Sequence, residues 1–478
     1  MFRKLLYILL PTVLRRPLAN FIYGLIAYRN NFVYKWRLVF RFLKNDEILK
    51  RFDEVRDWSY RRKFKRLSIV IHTSLKPKLV KKRDGILLAI GTLSAGGAER
   101  QVVMTAKGLV TRGYDNVRVV CFSLQQSPSS FYRPHLQKLG VAVSDLNEEI
   151  IEDDPELANI LAEVERFIPL PISEVAGYIR KIYKAPPLIA HLWLDEVNIK
   201  VGIAAVILRV PTIILGLRNF PPNNFLFYQP YMREAYRWLV EQPGVKLVGN
   251  SHAGARAYER WLGIPDNAVD VIHNGFDYDI DYLEKCRSLA EDYRAMHGLR
   301  AACPVVGTVI RLAEEKRPFL WLEIAAQVRK QCPSAQFLLV GDGPLRSDLE
   351  LRAQMDDLKG AVTFMGLEAE ALKSMAAMDI FLLTSRLEGL PNVLIEAQAI
   401  GVPVVTTNVG GAPETMLDRV TGWVLDNDEI IDAANQIIRL IRDENWRDQA
   451  RLSMPTFICE KFGMEKMLNK TLSIYGVQ

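Results

Sequence analysis

The sequence predicts an α/β architecture of two doubly wound, Rossmann-like units facing a cleft, preceded by a basic helical extension. Three observations carry this reading. From about residue 84, short apolar runs alternate with amphipathic helical stretches, the pattern of a mostly parallel sheet covered on both faces. The alternation pauses over Tyr278–Ala302, a charged helical connector with few strand signals, and then restarts. Several apolar runs end in glycine-rich turns, and ligands of doubly wound sheets bind where the strands end. At 478 residues the chain also exceeds what one core usually organises. The expected divisions are an extension over 1–83, a first unit over 84–283, a second over 284–455, and a helix over 456–478 that crosses back to the first unit.

In the first unit, Ile86–Leu93 is an apolar run that leads into Ser94-Ala95-Gly96-Gly97. A helix follows from Ala98 to about Leu109, and a second apolar run spans Val117–Leu124. Further strands are expected at Leu188–Leu194, Thr212–Leu217, Lys246–Val248 and Val269–Ile272. In the second unit they are expected at Pro304–Ile310, Gln336–Val340, Val362–Phe364, Ile380–Thr384 and Pro403–Thr407. Helices fit between them at Pro318–Gln331, Leu345–Asp357, Glu368–Ala377 and Pro391–Ile400, and the tail Thr456–Tyr475 is amphipathic.

Charge separates the extension from the body. Residues 1–83 carry 22 Lys and Arg against 5 Asp and Glu, whereas the remainder carries 40 against 50. Aromatics stand among these cations: Phe21, Tyr23, Tyr28, Phe32, Tyr34, Trp36, Phe40 and Phe42. The apolar runs Leu5–Leu10 and Leu18–Ile26 fall short of the roughly 20 residues that span a bilayer. No small-residue cleavage site follows them. The extension therefore reads as amphipathic helices lying on an anionic membrane surface, with a helical arm packed on the body as the alternative. Nucleic acid is not expected, because no binding motif accompanies the charge. Five scattered cysteines without metal-ligand spacing favour a reducing compartment.

The richest stretch is Ser385–Ala397, which follows the strand Ile380–Thr384. Pro391 suits a first helical turn, and Gly389 lets a ligand approach the backbone. Amides at the start of this helix attract a diphosphate. Glu388 and Glu396 would lie about 12 Å apart if the stretch were all helical, too far for a paired-carboxylate glycosidase. Arg311 and Lys316 follow the first strand of the second unit and suit phosphate oxygens. The turn Gly341-Asp342-Gly343-Pro344 and the loop Gly410-Gly411 lie at two further strand ends.

Together these segments resemble the retaining GT-B glycosyltransferases of family 4, which share a Glu, seven residues, Glu pattern, here Glu388 to Glu396. The resemblance runs through Gly96–Arg100, Asn250-Ser251 and His273–Asp277 and covers roughly residues 85–475. It implies a GT-B fold and a donor that is a nucleotide diphosphate sugar. Arg311 and Lys316 would hold the diphosphate and offset charge on the leaving group. Glu396 would accept from the ribose hydroxyls. Glu388 and the backbone of Gly389, Leu390, Pro391 and Asn392 would hold the sugar, with Gly341 and Gly343 beside it. Gly96 and Gly97 would approach the donor phosphate or the acceptor, and His191 would face the reacting sugar. Front-face transfer with retention needs no protein nucleophile. The two cations make a metal dispensable, so neither metal nor cofactor is expected. Asp277-Tyr278-Asp279 then reads as a polar loop, not as a metal-binding pair of aspartates.

The function implied is transfer of a sugar to a glycan or lipid-linked acceptor at the cytoplasmic membrane face, as in bacterial-type surface polysaccharide or lipopolysaccharide synthesis. A sugar-nucleotide epimerase on the same architecture and a glycan-assembly scaffold without turnover are the rival readings.

Overall fold

The computed structural model describes residues 46–75, 83–124, 129–146, 154–277, 279–300, 303–368 and 370–477. The extension contributes helix α1 (Asp46–Thr73). The N-terminal half follows as β1 (Ile86–Ile90), α2 (Gly97–Thr111), β2 (Val117–Cys121), α3 (Arg133–Lys138), β3 (Ala142–Asp145), α4 (Pro155–Glu165), α5 (Ile172–Lys184), β4 (Ile189–Trp193), α6 (Asp195–Ile207), β5 (Thr212–Leu217), α7 (Met232–Val240), β6 (Val245–Gly249), α8 (His252–Leu262) and β7 (Val269–Val271). The C-terminal half continues with α9 (Ile280–Ser288), α10 (Ala290–Met296), β8 (Val305–Val309), α11 (Pro318–Gln331), β9 (Gln336–Val340), α12 (Arg346–Ala353), β10 (Val362–Gly366), α13 (Ala371–Ala376), β11 (Ile380–Leu383), α14 (Asn392–Ala399), β12 (Val404–Thr407) and β13 (Gly422–Leu425). Helices α15 (Ile430–Arg442), α16 (Glu444–Phe462) and α17 (Met464–Tyr475) close the chain.

Among the described residues the strands form two parallel sheets, ordered β3-β2-β1-β4-β5-β6-β7 and β10-β9-β8-β11-β12-β13. Helices cover both faces, so central strands such as Ile86–Ile90 and Gln336–Val340 are buried along their whole length. Strand order reverses direction between β1 and β4 in the first sheet and between β8 and β11 in the second. These are the topological switch points where doubly wound folds bind ligands. The loops after β8 and β11 carry Arg311–Lys316 and Ser385–Pro391, and the loop after β1 carries Gly96-Gly97.

Two strands are absent from the sequence expectation. Ala142–Asp145 and Gly422–Leu425 are four-residue edge strands, and an edge strand buried from one side leaves a weak apolar signal. The expected limits at 283/284 and 455/456 fall inside α9 and α16. Leu283 and Cys286 of α9 belong to the C-terminal core, while Leu468 and Leu472 of α17 pack in the N-terminal one.

The described part of the extension packs on the body. Phe64, Leu67, Ile71 and Leu75 lie on one face of α1 and its exit and are buried in the N-terminal core. Phe64 stacks on Trp238 at 5.2 Å, Trp238 Nε1 donates to Ser68 Oγ at 2.7 Å, and Arg61 pairs with Glu234 at 2.6 Å. This apolar stripe of α1 is thus spent on the protein, as in the alternative of an arm packed on the body, while Trp58 and Ile69 of the same helix remain exposed. Its outer face remains cationic, with Arg62, Lys63, Lys65 and Arg66 exposed. The aromatic run Phe21–Phe42 and the apolar runs before it lie outside the described residues.

Candidate active site

The cleft-side loops of the C-terminal half are fixed to one another by backbone contacts. Leu312 N–H donates to Asp342 O at 3.0 Å, Arg386 N–H to Glu315 O at 2.8 Å, and the Arg317 side chain reaches Thr384 O and Ser385 O. Gly341 has φ of +123°, and a Cβ there would stand 1.9 Å from Ile310 O; a Cβ on Gly343 would stand 2.4 Å from Leu312 O. The sequence placed both glycines beside the donor. The structure places them against the backbone of the loop that carries Arg311, which they brace.

On this scaffold Lys316 pairs with Glu388 at 2.5 Å, and Glu388 is buried. Arg311 is exposed, and its side chain makes no hydrogen bond or ion pair among the described residues. Leu390 and Pro391 are buried, and Asn392 opens α14. Glu396, also buried, is held by the guanidinium of Arg100 on α2. The carboxylate expected to meet a ribose is therefore already gripped from the other half of the molecule. Burial lowers the Arg100 pKa from its ordinary value.

The two halves meet closely here. A Cβ on Gly389 would stand 2.3 Å from Arg218 O, and one on Gly97 would stand 2.9 Å from Asn392 Nδ2. Gly96 is the N-cap of α2, with extended backbone. Asn392 Oδ1 accepts from Asn274 Nδ2 at 2.7 Å, and Asn392 Nδ2 donates to Gly97 O at 3.4 Å. Asn392, expected to touch the sugar through its backbone, turns its side chain to the N-terminal half. A second bridge joins Glu414 to the start of α8. Its carboxylate accepts from the amides of His252 and Ala253 at 2.9 and 2.8 Å and lies 3.2 Å from His273 Nε2. The ligand-capable atoms of His252, His273 and Glu414 lie within 4.8 Å of one another. The Glu414 carboxylate is committed to the positive end of a helix, which disfavours a second cation. Asp277 pairs with Lys107, and Asp279 caps α9 by accepting from Tyr282 N–H, so both aspartates have structural employment.

His191 lies within β4, in the strand expected at Leu188–Leu194, and is buried. Its ring stacks on Trp193 at 3.7 Å, and Nδ1 lies 2.8 Å from the Tyr475 hydroxyl of α17. Burial, with help from the Arg218 charge, holds its pKa well below the ordinary histidine value, so the ring is neutral. Leu194, the next residue after Trp193, has φ 75° and ψ 151°, a region nearly reserved for glycine. Asp195 is buried and accepts from Tyr236 and Tyr258 hydroxyls at 2.7 and 2.5 Å. Burial pushes its carboxyl up to about 6, against the pull of those two hydroxyls.

Sequence reasoning singled out Arg100 and Asn274 only as letters of motifs; the structure gives both contacts across the cleft. Arg218 and Tyr475 carried no signal, since a lone arginine after a strand and a tyrosine in a terminal helix are ordinary residues until the fold brings them together.

Two family models match the chain. Glycosyltransferase Family 4 covers residues 95–280 and Glycosyl transferases group 1 covers 290–453, one on each half of the cleft. The Vi polysaccharide biosynthesis protein VipC/TviE of Salmonella typhi is 27% identical over 415 residues, 80% of this chain and 70% of that protein. The UDP-Gal:alpha-D-GlcNAc-diphosphoundecaprenol alpha-1,3-galactosyltransferase of Escherichia coli is 23% identical over 293 residues, 60% of this chain and 74% of that protein. Among solved structures, Anabaena Alr3699/HepE in complex with UDP and glucose superposes with a TM-score of 0.65 at 22% identity, covering 83% of this chain and 100% of that one. With two parallel sheets whose switch-point loops face each other, and a family model matched to each half, the chain belongs to the GT-B glycosyltransferases and is a transferase enzyme.

Proposed function

We propose that the protein is a retaining glycosyltransferase that takes a sugar from a nucleoside diphosphate donor and passes it to a glycan or lipid-linked acceptor in surface polysaccharide or lipopolysaccharide synthesis. The observation that carries this reading is the convergence of Arg311, the Lys316–Glu388 pair and Glu396 on the loops and helix at the C-terminal switch point. Solved relatives of the fold hold UDP or UDP-glucose, and relatives in sequence are named for polysaccharide synthesis and galactosyl transfer.

In this reading Arg311 and Lys316 hold the diphosphate, and the start of α14 adds its dipole. Lys316 exchanges its contact with Glu388 for a phosphate oxygen. Glu388 is thereby released toward a sugar hydroxyl. Arg100 yields Glu396 to the ribose hydroxyls. An acceptor oxygen then bonds to the anomeric carbon on the face from which the diphosphate leaves. The bond from that carbon to the phosphate oxygen breaks, and the acceptor proton passes to the departing diphosphate. In this reading Glu388 is engaged by a sugar hydroxyl and not by the anomeric carbon, which fits the front-face route. The cations make a metal unnecessary; chelation is expected to leave activity intact, and complete loss that metal restores would refute this.

The cationic outer face of α1, together with exposed Leu226 and Phe227 in the loop before α7, supports docking at the cytoplasmic face of a membrane. Among the described residues no helix is long and apolar enough to cross one. Retained binding to anionic vesicles after deletion of residues 1–45 would place the anchor on α1 and the body; lost binding would place it in the deleted segment.

The decisive experiment pairs binding with stereochemistry. Glu396→Ala is expected to weaken nucleoside diphosphate binding about tenfold or more, the worth of charge-assisted hydrogen bonds. The anomeric proton signal of the product is expected to match that of the donor. Unchanged affinity, or an inverted product, would overturn the assignment. Consumption of donor into an isomeric nucleotide sugar without acceptor would favour the epimerase.

A further inference from the structure

At the N-terminal edge of the cleft lies a group of side chains to which the transfer steps above assign no role. Arg218 follows β5 and is partly accessible, yet its Nε is sealed and without a hydrogen-bond partner. Its one hydrogen bond runs from the guanidinium to Asn274 Oδ1 at 3.3 Å, and its Cζ lies 5.4 Å from the centre of the Trp193 ring. No carboxylate pairs with it among the described residues, and burial pushes its pKa down to about 10. Trp193 Nε1 and His191 Nε2 are likewise buried without partners. The Tyr475 hydroxyl lies 2.8 Å from His191 Nδ1; in the tautomer where that hydroxyl donates, the ring proton sits on Nε2.

The cluster so built offers three nitrogen donors, one full positive charge and no acceptor of its own. Buried donors without partners, and a largely enclosed charge without a counter-charge, are both costly. A protein retains such a group where a ligand supplies what is missing. We propose that Arg218, with Trp193 and His191, forms an anion subsite on the N-terminal side of the cleft, taking a phosphate or carboxylate of a bound substrate. The subsite rests on the reading of the cleft as a two-substrate transferase site. It is separate from the Arg311–Lys316 pair, which stands on the other half of the molecule. Two sources could supply the anion: the donor's diphosphate, reached when the halves close, or an acidic group on the acceptor.

The test uses the full chain, with Arg218→Met and Arg218→Gln variants. Calorimetric titration and thermal shift are run with UDP, glucuronate, glucose 1-phosphate and, as the uncharged control, glucose. At least one anionic probe is expected to bind the wild type, and both variants are expected to lose tenfold or more in affinity for it. A loss confined to UDP assigns the anion to the donor. A loss for glucuronate or glucose 1-phosphate with UDP affinity intact assigns it to the acceptor. The ligand-free variants are expected to melt at or above the wild-type temperature, because an uncompensated charge has been removed; a purely structural arginine would lower it. Wild-type affinity of the variants for every probe, a wild type that binds no anionic probe, or variants that melt lower would each overturn the proposal. A wild type that binds glucuronate through Arg218 but not UDP would instead sink the donor reading and leave the subsite standing.

Discussion

The two halves of the cleft treat charge differently. In the C-terminal half, charged side chains at the switch point are either paired, as Lys316 with Glu388, or left in water, as Arg311. In the N-terminal half, beside Arg100 with its Glu396 partner, stand groups drawn largely out of water with no counter-ion among the described residues. Arg218 leans on Trp193, Asp195 accepts from two tyrosine hydroxyls, and His191 is kept neutral. Paired charges in a braced loop describe a site that is ready before its ligand arrives, because little must reorganise when phosphate replaces carboxylate. Unpaired buried charges describe a half that stores unfavourable energy in the free protein. The contrast teaches where stability and function should trade against each other: substitutions in the first half should cost activity alone, and those in the second should gain stability while losing function.

The largest effect expected from this contrast falls on Arg311. Because it is exposed and unpaired, Arg311→Ala removes no structural contact among the described residues, and the melting temperature is expected to stay within about 1 °C, as for surface substitutions generally. Loss of one preorganised partner for the leaving group is expected to lower turnover about 100- to 1000-fold. Steady-state kinetics with saturating donor distinguishes this from weakened binding. A variant that turns over normally would show that the C-terminal half does not hold the leaving diphosphate through this residue.

Asp195 tests the other half through pH. Its carboxyl titrates at about 6 in the folded protein, against about 3.9 in an unfolded chain. Between those values the folded state keeps a proton that the unfolded state has released, so stability falls as pH rises from about 4 to 6 and the deficit persists above 6. Asp195→Asn keeps a carbonyl oxygen for Tyr236 and Tyr258 and abolishes the titration. The variant is expected to be more stable than wild type at pH 7 by on the order of 1–3 kcal/mol, with the advantage vanishing near pH 4. Urea unfolding at a series of pH values measures it. Parallel curves for the two proteins would mean that Asp195 is not the source of the slope.

How much of this was legible in the sequence follows the same division. The strand Gln336–Val340, the helix Pro318–Gln331 and the strand Thr212–Leu217 stand where apolar patterning places them, because a buried parallel strand or a helix opened by proline announces itself locally. Arg311, Lys316, Glu388 and Glu396 could be named because they cluster in short segments at strand ends. The N-terminal site is assembled from β4, β5, the Asn274 loop and the last helix, residues far apart in the chain, and no local spacing reports such a meeting. The glycines of the Gly341–Pro344 turn show the converse. Their pattern was visible, but their neighbour, the Ile310–Leu312 backbone, belongs to another strand and could only be seen in three dimensions. The helix α1 shows a related limit: an amphipathic stripe beside cations fits a membrane or a protein core equally well, and the contacts with Trp238 and Glu234 that seat one face on the body are visible only in the fold.

The smallest effect expected is at Leu194, and it sharpens the contrast most directly. Its φ of 75° with ψ of 151° lies where a Cβ clashes with the backbone, at a cost of roughly 1–3 kcal/mol, yet the side chain gains little from burial, being 36% exposed. Strain held at a switch-point turn beside His191 and Asp195 implies that the turn, or the exposed leucine, serves a substrate. Leu194→Gly relieves the clash but adds the unfolded-state entropy of glycine, about 0.5–1 kcal/mol. The net expectation is a gain in stability of about 1 kcal/mol, with acceptor KM raised several-fold and donor affinity unchanged. If the variant were less stable, packing around the leucine would outweigh the backbone strain. If it were more stable and equally active, the N-terminal half would be storing strain to no catalytic end, and the division of labour between the two sides of the cleft would have to be abandoned.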